Sequence, residues 1–162
     1  MLVKTYCAAV NGLDVTTVTI EVSLTKGVMF RMTGLGDTAV REGRDRMAAA
    51  LVNNGCLFPN ADITVNMAPA DLRKEGSGYD LSLAIGVLAA SKQIEPVGLD
   101  RIMLVGELGL DGALQPVKGA LPIAMRAKAD GFVALVVPQQ NVREAAVVEG
   151  IRVYGMSQMK EV

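Results

Sequence analysis

No histidine and no tryptophan occur among the 162 residues, aromatic side chains make up only 4%, and there are just two cysteines. Each shortage excludes something. Without imidazole the chain can build no Ser-His-Asp or Cys-His triad and no histidine metal site, and it has no side chain whose ordinary titration falls near neutrality. Cys7 and Cys56 are too few and too widely spaced for a disulfide framework or a thiolate metal site, and among apolar neighbours they read as reduced core thiols. No apolar run approaches the roughly eighteen residues of a membrane span, and the N-terminal MLVKTYCAAVNGLDV carries no long apolar stretch after Lys4. The expectation is a soluble, cytoplasmic protein with no membrane partner. Charge excess is missing too: sixteen basic and seventeen acidic residues give a net −1, so no global pull toward nucleic acid or anionic lipid exists.

What is present is aliphatic. Apolar residues make up 51% of the chain, so the core must come from Val, Leu, Ile, Ala and Met, with Met103, Met125 and the other methionines as filler. At 17.0 kDa the chain has the size of one domain, 1–162, able to bury roughly 70% of its extended surface.

The order of patterns points to an α/β fold. Segments 2–10, 15–24 and 28–33 are rich in β-branched residues, with Asn11-Gly12 and Lys26-Gly27 as turn punctuation, and predict three antiparallel strands. From Asp37 to Asn53, apolar Ala39, Val40, Met47, Ala50 and Leu51 recur at helical spacing between charges, which predicts an amphipathic helix. A strand at 62–68 precedes a polar loop, Pro69 to Gly78, and a helix from Tyr79 to Ser91 that is apolar nearly all round and should be buried. Then come a strand at 101–108, a turn at Gly109–Gly112, a short return strand, a helix at 119–129, a strand at 132–137, a helix at 141–149 and a strand at 151–154. Early hairpins followed by βαβ-like units give a mixed sheet packed with helices. The last residues, 158–162, look helical and stop abruptly, so a piece of a longer protein is expected.

Three motifs could carry chemistry. Gly34-Leu35-Gly36-Asp37-Thr38-Ala39 fits G-x-G-x-x-A between strand and helix, but Asp37 would place a carboxylate against a pyrophosphate, and a tight turn with Asp37 as N-cap is the plainer reading. No Gly-Lys pair exists, so there is no P-loop. The loop Lys74-Glu75-Gly76-Ser77-Gly78-Tyr79-Asp80 feeds a helix, and without histidine its serine could be activated only by a lysine, Ser77 with Lys118 or Ser82 with Lys118. Against this stands a structural role in which Ser77 and Asp80 cap the helix. Glu75 and Asp80 could pair for acid-base work, although their spacing does not single them out. The basic residues Arg41, Arg44, Arg46, Arg73, Lys74, Arg126 and Lys128 are interleaved with acids, lack aromatic partners, and read as solvated faces.

The runs ITVNMAPADLRKEGSGYDLSLAIGVLAAS (63–91), LVGELGLDGALQPVKGALPIAMRAKADGF (104–132) and VVPQQNVREAAVVEGIRVYG (136–155), with AVREGRDRMAAAL (39–51), carry a resemblance across essentially the whole chain. The sequence resembles the N-terminal domain of the magnesium-chelatase-related AAA+ proteins of the ComM or YifB type; at Gly34-Leu35-Gly36 it departs from their Gly-Leu-Pro. The resemblance implies the fold of the Lon proteolytic domain, also called ribosomal protein S5 domain 2-like, ahead of an ATPase module that would bind ATP and Mg. It implies a parent acting on DNA branches in recombination or natural transformation, with its own AAA+ module and the neighbouring subunits of a hexamer as partners. Laid on Lon's catalytic motifs, the nucleophile position falls on Gly78 and the lysine position on Leu121, so the resemblance implies a non-catalytic domain with no cofactor or metal of its own. Two alternatives stay open: a Lon-type Ser-Lys peptidase using Ser77 and Lys118, and a DNA-binding module in its own right.

Overall fold

The structure, a computed structural model, describes residues 1–162. Strands β1 (Leu2–Asn11) and β2 (Asp14–Thr25) form a long antiparallel hairpin around Gly12-Leu13. After β3 (Phe30–Thr33) come helix α1 (Thr38–Asn53), strand β4 (Asp62–Ala68) and helix α2 (Asp80–Ala90). The second half runs β5 (Ile102–Leu104), β6 (Glu107–Leu108), β7 (Leu114–Gln115), α3 (Ala120–Ala129), β8 (Ala134–Pro138), α4 (Val142–Ala145) and β9 (Arg152–Met156). Seven strands join one sheet in the order β3-β4-β2-β1-β5-β8-β9, while β6 and β7 form a separate small hairpin. Only β2 runs against the other six, which makes the sheet mixed, as an α/β fold of this pattern predicts.

Helices cover both faces. Thr5 of β1 donates its hydroxyl to the Ser82 carbonyl in α2, whereas Val10, of the opposite parity, touches Gly119 at the start of α3. All eleven residues of α2 are buried, in keeping with a helix that has no polar face. Its close seat on the sheet depends on Gly86, where a Cβ would stand 2.8 Å from a Val22 methyl. Thirty-seven buried residues form one continuous core, and none of its members is a tryptophan or phenylalanine.

The structure departs from the sequence reading at three elements. Strand β3 is not the third member of an antiparallel meander: β4 takes the place beside β2 over seven residues, and β3 pairs parallel to the outer side of β4. The single strand expected over 101–108 is two, because after Val105, whose N–H still bonds to the Val136 carbonyl of β8, Gly106 leaves the sheet and bonds to the Gly78 carbonyl. The helix expected over 141–149 shortens to α4, preceded by a 3-10 turn at Gln139–Asn141. Two side-chain assignments change as well. Met125 is exposed rather than core filler, and Cys56 is only half-buried, while Cys7 is fully buried and both thiols are free.

Candidate functional site

Parallel strands leave a crevice at their carboxyl ends, where the chain must leave the sheet to cross over. Here β1 and β5 end beside a cavity of about 460 Å³. The loop Glu75–Tyr79 forms one wall, Pro116–Lys118 another, and Ala8, Val10, Val105 and Ile123 supply apolar lining, with Glu107 at the base of the small hairpin. Bonds from the Gly106 N–H to the Gly78 carbonyl (2.9 Å) and from the Leu81 N–H to the Gly106 carbonyl (3.1 Å) stitch the loop to the hairpin.

Ser77 and Lys118 line this one cavity, so the fold brings the first serine-lysine pair together. Yet the Ser77 hydroxyl donates to the Glu107 carboxylate, and a base positioned to take its proton would have to be that carboxylate rather than an amine. Ser82 belongs elsewhere: fully buried in α2, it donates to the Tyr6 carbonyl at 3.1 Å, which removes it from the second pair. Gly78 lies in the cavity wall, where a Cβ would meet only ordinary contacts with Val117 and Val105. Leu121 sits outside the cavity lining, partly exposed in the first turn of α3, and its N–H donates to Glu144.

The capping roles expected of Ser77 and Asp80 are not found. The α2 N-cap is Tyr79, which makes no side-chain capping bond. Asp80 is 1% exposed and accepts two bonds from Arg46, at 2.6 and 3.0 Å, and a third from the Leu108 N–H at 3.1 Å. Burial pushes its carboxyl above the usual aspartate range, against the pull of Arg46 and the Leu108 N–H. The fork-shaped contact joins α1, α2 and β6 beneath the cavity. Gly43 allows it, since a Cβ there would fall 2.6 Å from an Asp80 oxygen. Glu75 instead pairs with Arg73 at the surface, so the Glu75–Asp80 pair does not form. Cys7, beneath Gly78, has its thiol pushed up to about 12 by burial, and it is chemically quiet.

Two of the basic residues read as solvated are not. Arg46 is engaged as above, and Lys74 is fully buried with its ammonium donating to three backbone carbonyls, Gly34 (2.7 Å), Met67 (2.8 Å) and Pro69. Desolvation lowers the affinity of its amine for the proton. Nor does the whole basic set lack aromatic partners: the Arg44 guanidinium lies 5.6 Å from the ring centroids of both Phe30 and Phe58.

The G-x-G-x-x-A turn is structural. Asp37 caps α1 through the Val40 N–H at 2.8 Å, as the plainer reading predicts, and also accepts from the Gly76 N–H at 3.2 Å. Gly34 has φ +104° and stands against the Met67 carbonyl, where a Cβ would be 2.1 Å away. The turn thereby braces the cavity loop. The burial of Lys74, the contact of Glu107 with Ser77 and the pairing of Arg46 with Asp80 were not read from the sequence, which marks Lys74 and Arg46 as solvated and Asp80 as a cap. For Glu107 the Gly-Glu pair opening a hairpin was a usable signal, whereas nothing local marks a lysine for burial.

No group of three or more Asp, Glu or Cys side chains is placed to hold a metal ion. No helix is long and apolar enough to cross a membrane. A second concavity of about 620 Å³, largely apolar, lies between α2, β5, β8 and β9.

Comparison with known proteins adds the lineage of this arrangement. A family model described as subunit ChlI of Mg-chelatase matches residues 20–141. The uncharacterized protein YifB of Escherichia coli is 43% identical over 143 residues, which are 88% of this chain and 28% of that protein. Competence protein ComM of Haemophilus influenzae is 41% identical over 150 residues, 92% of this chain and 29% of its own length. An uncharacterized protein of Mycobacterium tuberculosis is 44% identical over 154 residues, 94% of this chain and 31% of its own. The chain therefore spans less than a third of the length of these relatives.

Proposed function

The chain belongs to the family of the magnesium-chelatase subunit ChlI, and from that premise we propose that it is a non-catalytic accessory domain of a magnesium-chelatase-like AAA+ ATPase acting on DNA. Its work is ring organisation or substrate gating in branch migration, recombination or natural transformation, with a hexamer of the parent protein and that protein's ATP- and Mg-binding module as its setting. One observation carries the non-catalytic part: the cavity presents Gly78 in its wall and a Ser77 hydroxyl bound to Glu107, and Leu121 lies outside it. Similarity to competence protein ComM supports the DNA-processing part.

A second reading, a Ser-Lys peptidase, is favoured by the presence of Ser77 and Lys118 in the same cavity. A serine whose hydroxyl is directed to a carboxylate gains nucleophilicity only if that carboxylate accepts the proton at neutral pH, and an ordinary carboxylate is a weak base for this. The two readings separate in one experiment. The chain and its Ser77→Ala and Lys118→Ala variants are incubated with unfolded casein, and the full-length parent, with and without residues 1–162, is assayed for ATPase activity, ring size and migration of branched DNA. The expected result is no cleavage by any form of the chain, and slower branch migration or altered ring size when residues 1–162 are removed. Casein cleavage abolished by Ser77→Ala would overturn the non-catalytic reading, and unchanged ring size and migration would overturn the accessory role.

A further inference from the structure

We infer that the cavity is a docking site for an extended peptide segment carrying a basic side chain, which adds as a strand to the open edge of β1 at Ala8–Asn11. The inference rests on the non-catalytic reading in one respect only, that the bound segment is released intact. Three features converge on it.

The first is an unfinished sheet. β1 pairs with β2 along its whole length, but on its other side it meets β5 only at the Tyr6–Met103 register. β5 ends at Leu104: the Val105 N–H still bonds to the Val136 carbonyl of β8, but the Gly106 N–H leaves the sheet for the Gly78 carbonyl. Residues Ala8 to Asn11, roughly 13 Å of strand, therefore continue past the end of β5 with β2 as their one strand neighbour. An open strand edge holds a row of backbone groups that an extended chain satisfies by β-addition.

The second feature is where that edge lies. Ala8 and Val10 line the cavity, so a strand added there would project side chains into a preformed hollow rather than onto a flat surface. The facing loop is stripped of bulk at Gly76 and Gly78. A Cβ at Gly76 would meet nothing within 4 Å, and one at Gly78 only ordinary contacts. The loop itself is held rigid by the buried Lys74 ammonium and by Asp37, so ordering it costs little on binding.

The third is charge. Glu107 and Lys118 both line the hollow and neither forms an ion pair, whereas Glu75, also in the lining, is paired with Arg73 at 3.0 Å. The Glu107 carboxylate, bound only by a neutral hydroxyl, favours a basic side chain over a phosphate-bearing ligand. The Glu107 carboxylate, now accepting from Ser77, is placed to take a second donor from such a side chain.

The test is a titration of the isotopically labelled 162-residue chain, followed by amide NMR, with the blocked peptide acetyl-Val-Lys-Val-Ala-Val-amide. Three comparison probes are run beside it: the peptide with Glu for Lys, the peptide N-methylated at alternate residues, and an oligothymidylate. Saturable shifts are expected at Ala8–Asn11, Gly76–Gly78 and Lys118, at least tenfold weaker for the Glu peptide and absent for the N-methylated one. Gly78→Val, which a wall with free space tolerates, should weaken binding at least tenfold while leaving shifts elsewhere and the folded spectrum unchanged. Glu107→Gln should narrow the difference between the Lys and Glu peptides. The inference is overturned if shifts are absent, if they centre on the apolar concavity around Leu88 and Val97, if N-methylation or Gly78→Val makes no difference, or if the oligothymidylate binds these amides as well as the peptide does. Mass spectrometry of the recovered peptide keeps the two claims apart: cleaved peptide with the shifts present supports the docking site and overturns the non-catalytic reading.

Discussion

Lys74 shows how much can hang on one side chain that its neighbours in sequence do not mark. It stands in a run of polar loop residues, and a lysine there ordinarily reaches into water. Instead its ammonium closes a cage of three carbonyls contributed by the Gly34 turn, the end of β4 and Pro69. An ammonium has three donors and no acceptor, so the cage matches it without remainder. Arg in its place would bring a planar fork that cannot meet three converging oxygens. Lys74→Met takes the ammonium donor from the Gly34 and Met67 carbonyls and leaves Pro69 only a long bond from the Leu72 N–H at 3.4 Å, and should cost about 3 kcal/mol of stability, the range for breaking buried bonds to a charged group. Urea denaturation measures it, and a midpoint equal to that of the parent chain would show that the cage is not a stabilising contact. Ser77 makes the complementary point. Its presence in a cavity with Lys118 could be reached from the sequence, but its actual partner, Glu107, lies thirty residues away and becomes visible only through the turn that takes the chain out of β5.

At the scale of elements, local pattern was legible where an element satisfies itself and illegible where a neighbour competes for the same place. Helix α1 begins at its Asp37 cap and ends before Gly55, and β4 occupies the segment that its alternation marks, with Ile63, Val65 and Met67 buried. The failure at β3 has a physical cause. Four residues of β3 compete with seven of β4 for the open side of β2, and β4 offers three fully buried side chains where β3 offers none. Position in the sheet follows apolar area and ladder length rather than proximity along the chain. The Lys26-Gly27 turn then serves as a link to an outer strand, with the Asp62 carboxylate against Gly27. The same competition can be probed at α2. Gly86→Ala places a methyl 2.8 Å from Val22, so α2 must lift from β2 or Val22 must move, at a cost of about 1–3 kcal/mol as for other overpacked cores. Gly86→Ala paired with Val22→Ala should recover part of that loss. A double-mutant cycle in urea reads the coupling, and strict additivity would place the strain elsewhere.

For the whole molecule, the missing histidine that excludes triad chemistry also shapes the response to pH. Between about pH 6 and 8 no side chain with an ordinary value titrates, so folding stability should be nearly flat there, since its slope with pH equals the difference in protons bound by the unfolded and folded states. Acid is different. The Asp62 carboxylate accepts the Met29 N–H at 2.7 Å and pairs with Arg31 at 3.5 Å, and these bonds hold its proton affinity below the usual aspartate range. A carboxyl whose folded value is depressed contributes stability that is complete above its unfolded value and is lost as pH falls through the folded one. The expected profile is therefore a plateau from pH 8 down to about pH 5 and a decline below it, within the usual aspartate range and lower. Asp62→Asn keeps an acceptor for Met29 but cannot titrate, so it should lower the plateau slightly and make the acid decline shallower. Thermal unfolding at half-unit pH steps tests both limbs. A slope between pH 6 and 8 would mean that a strongly displaced group titrates there, and separate removal of the buried Asp80, whose carboxyl burial pushes upward, and of the buried Lys74, whose amine desolvation pushes downward, would identify which.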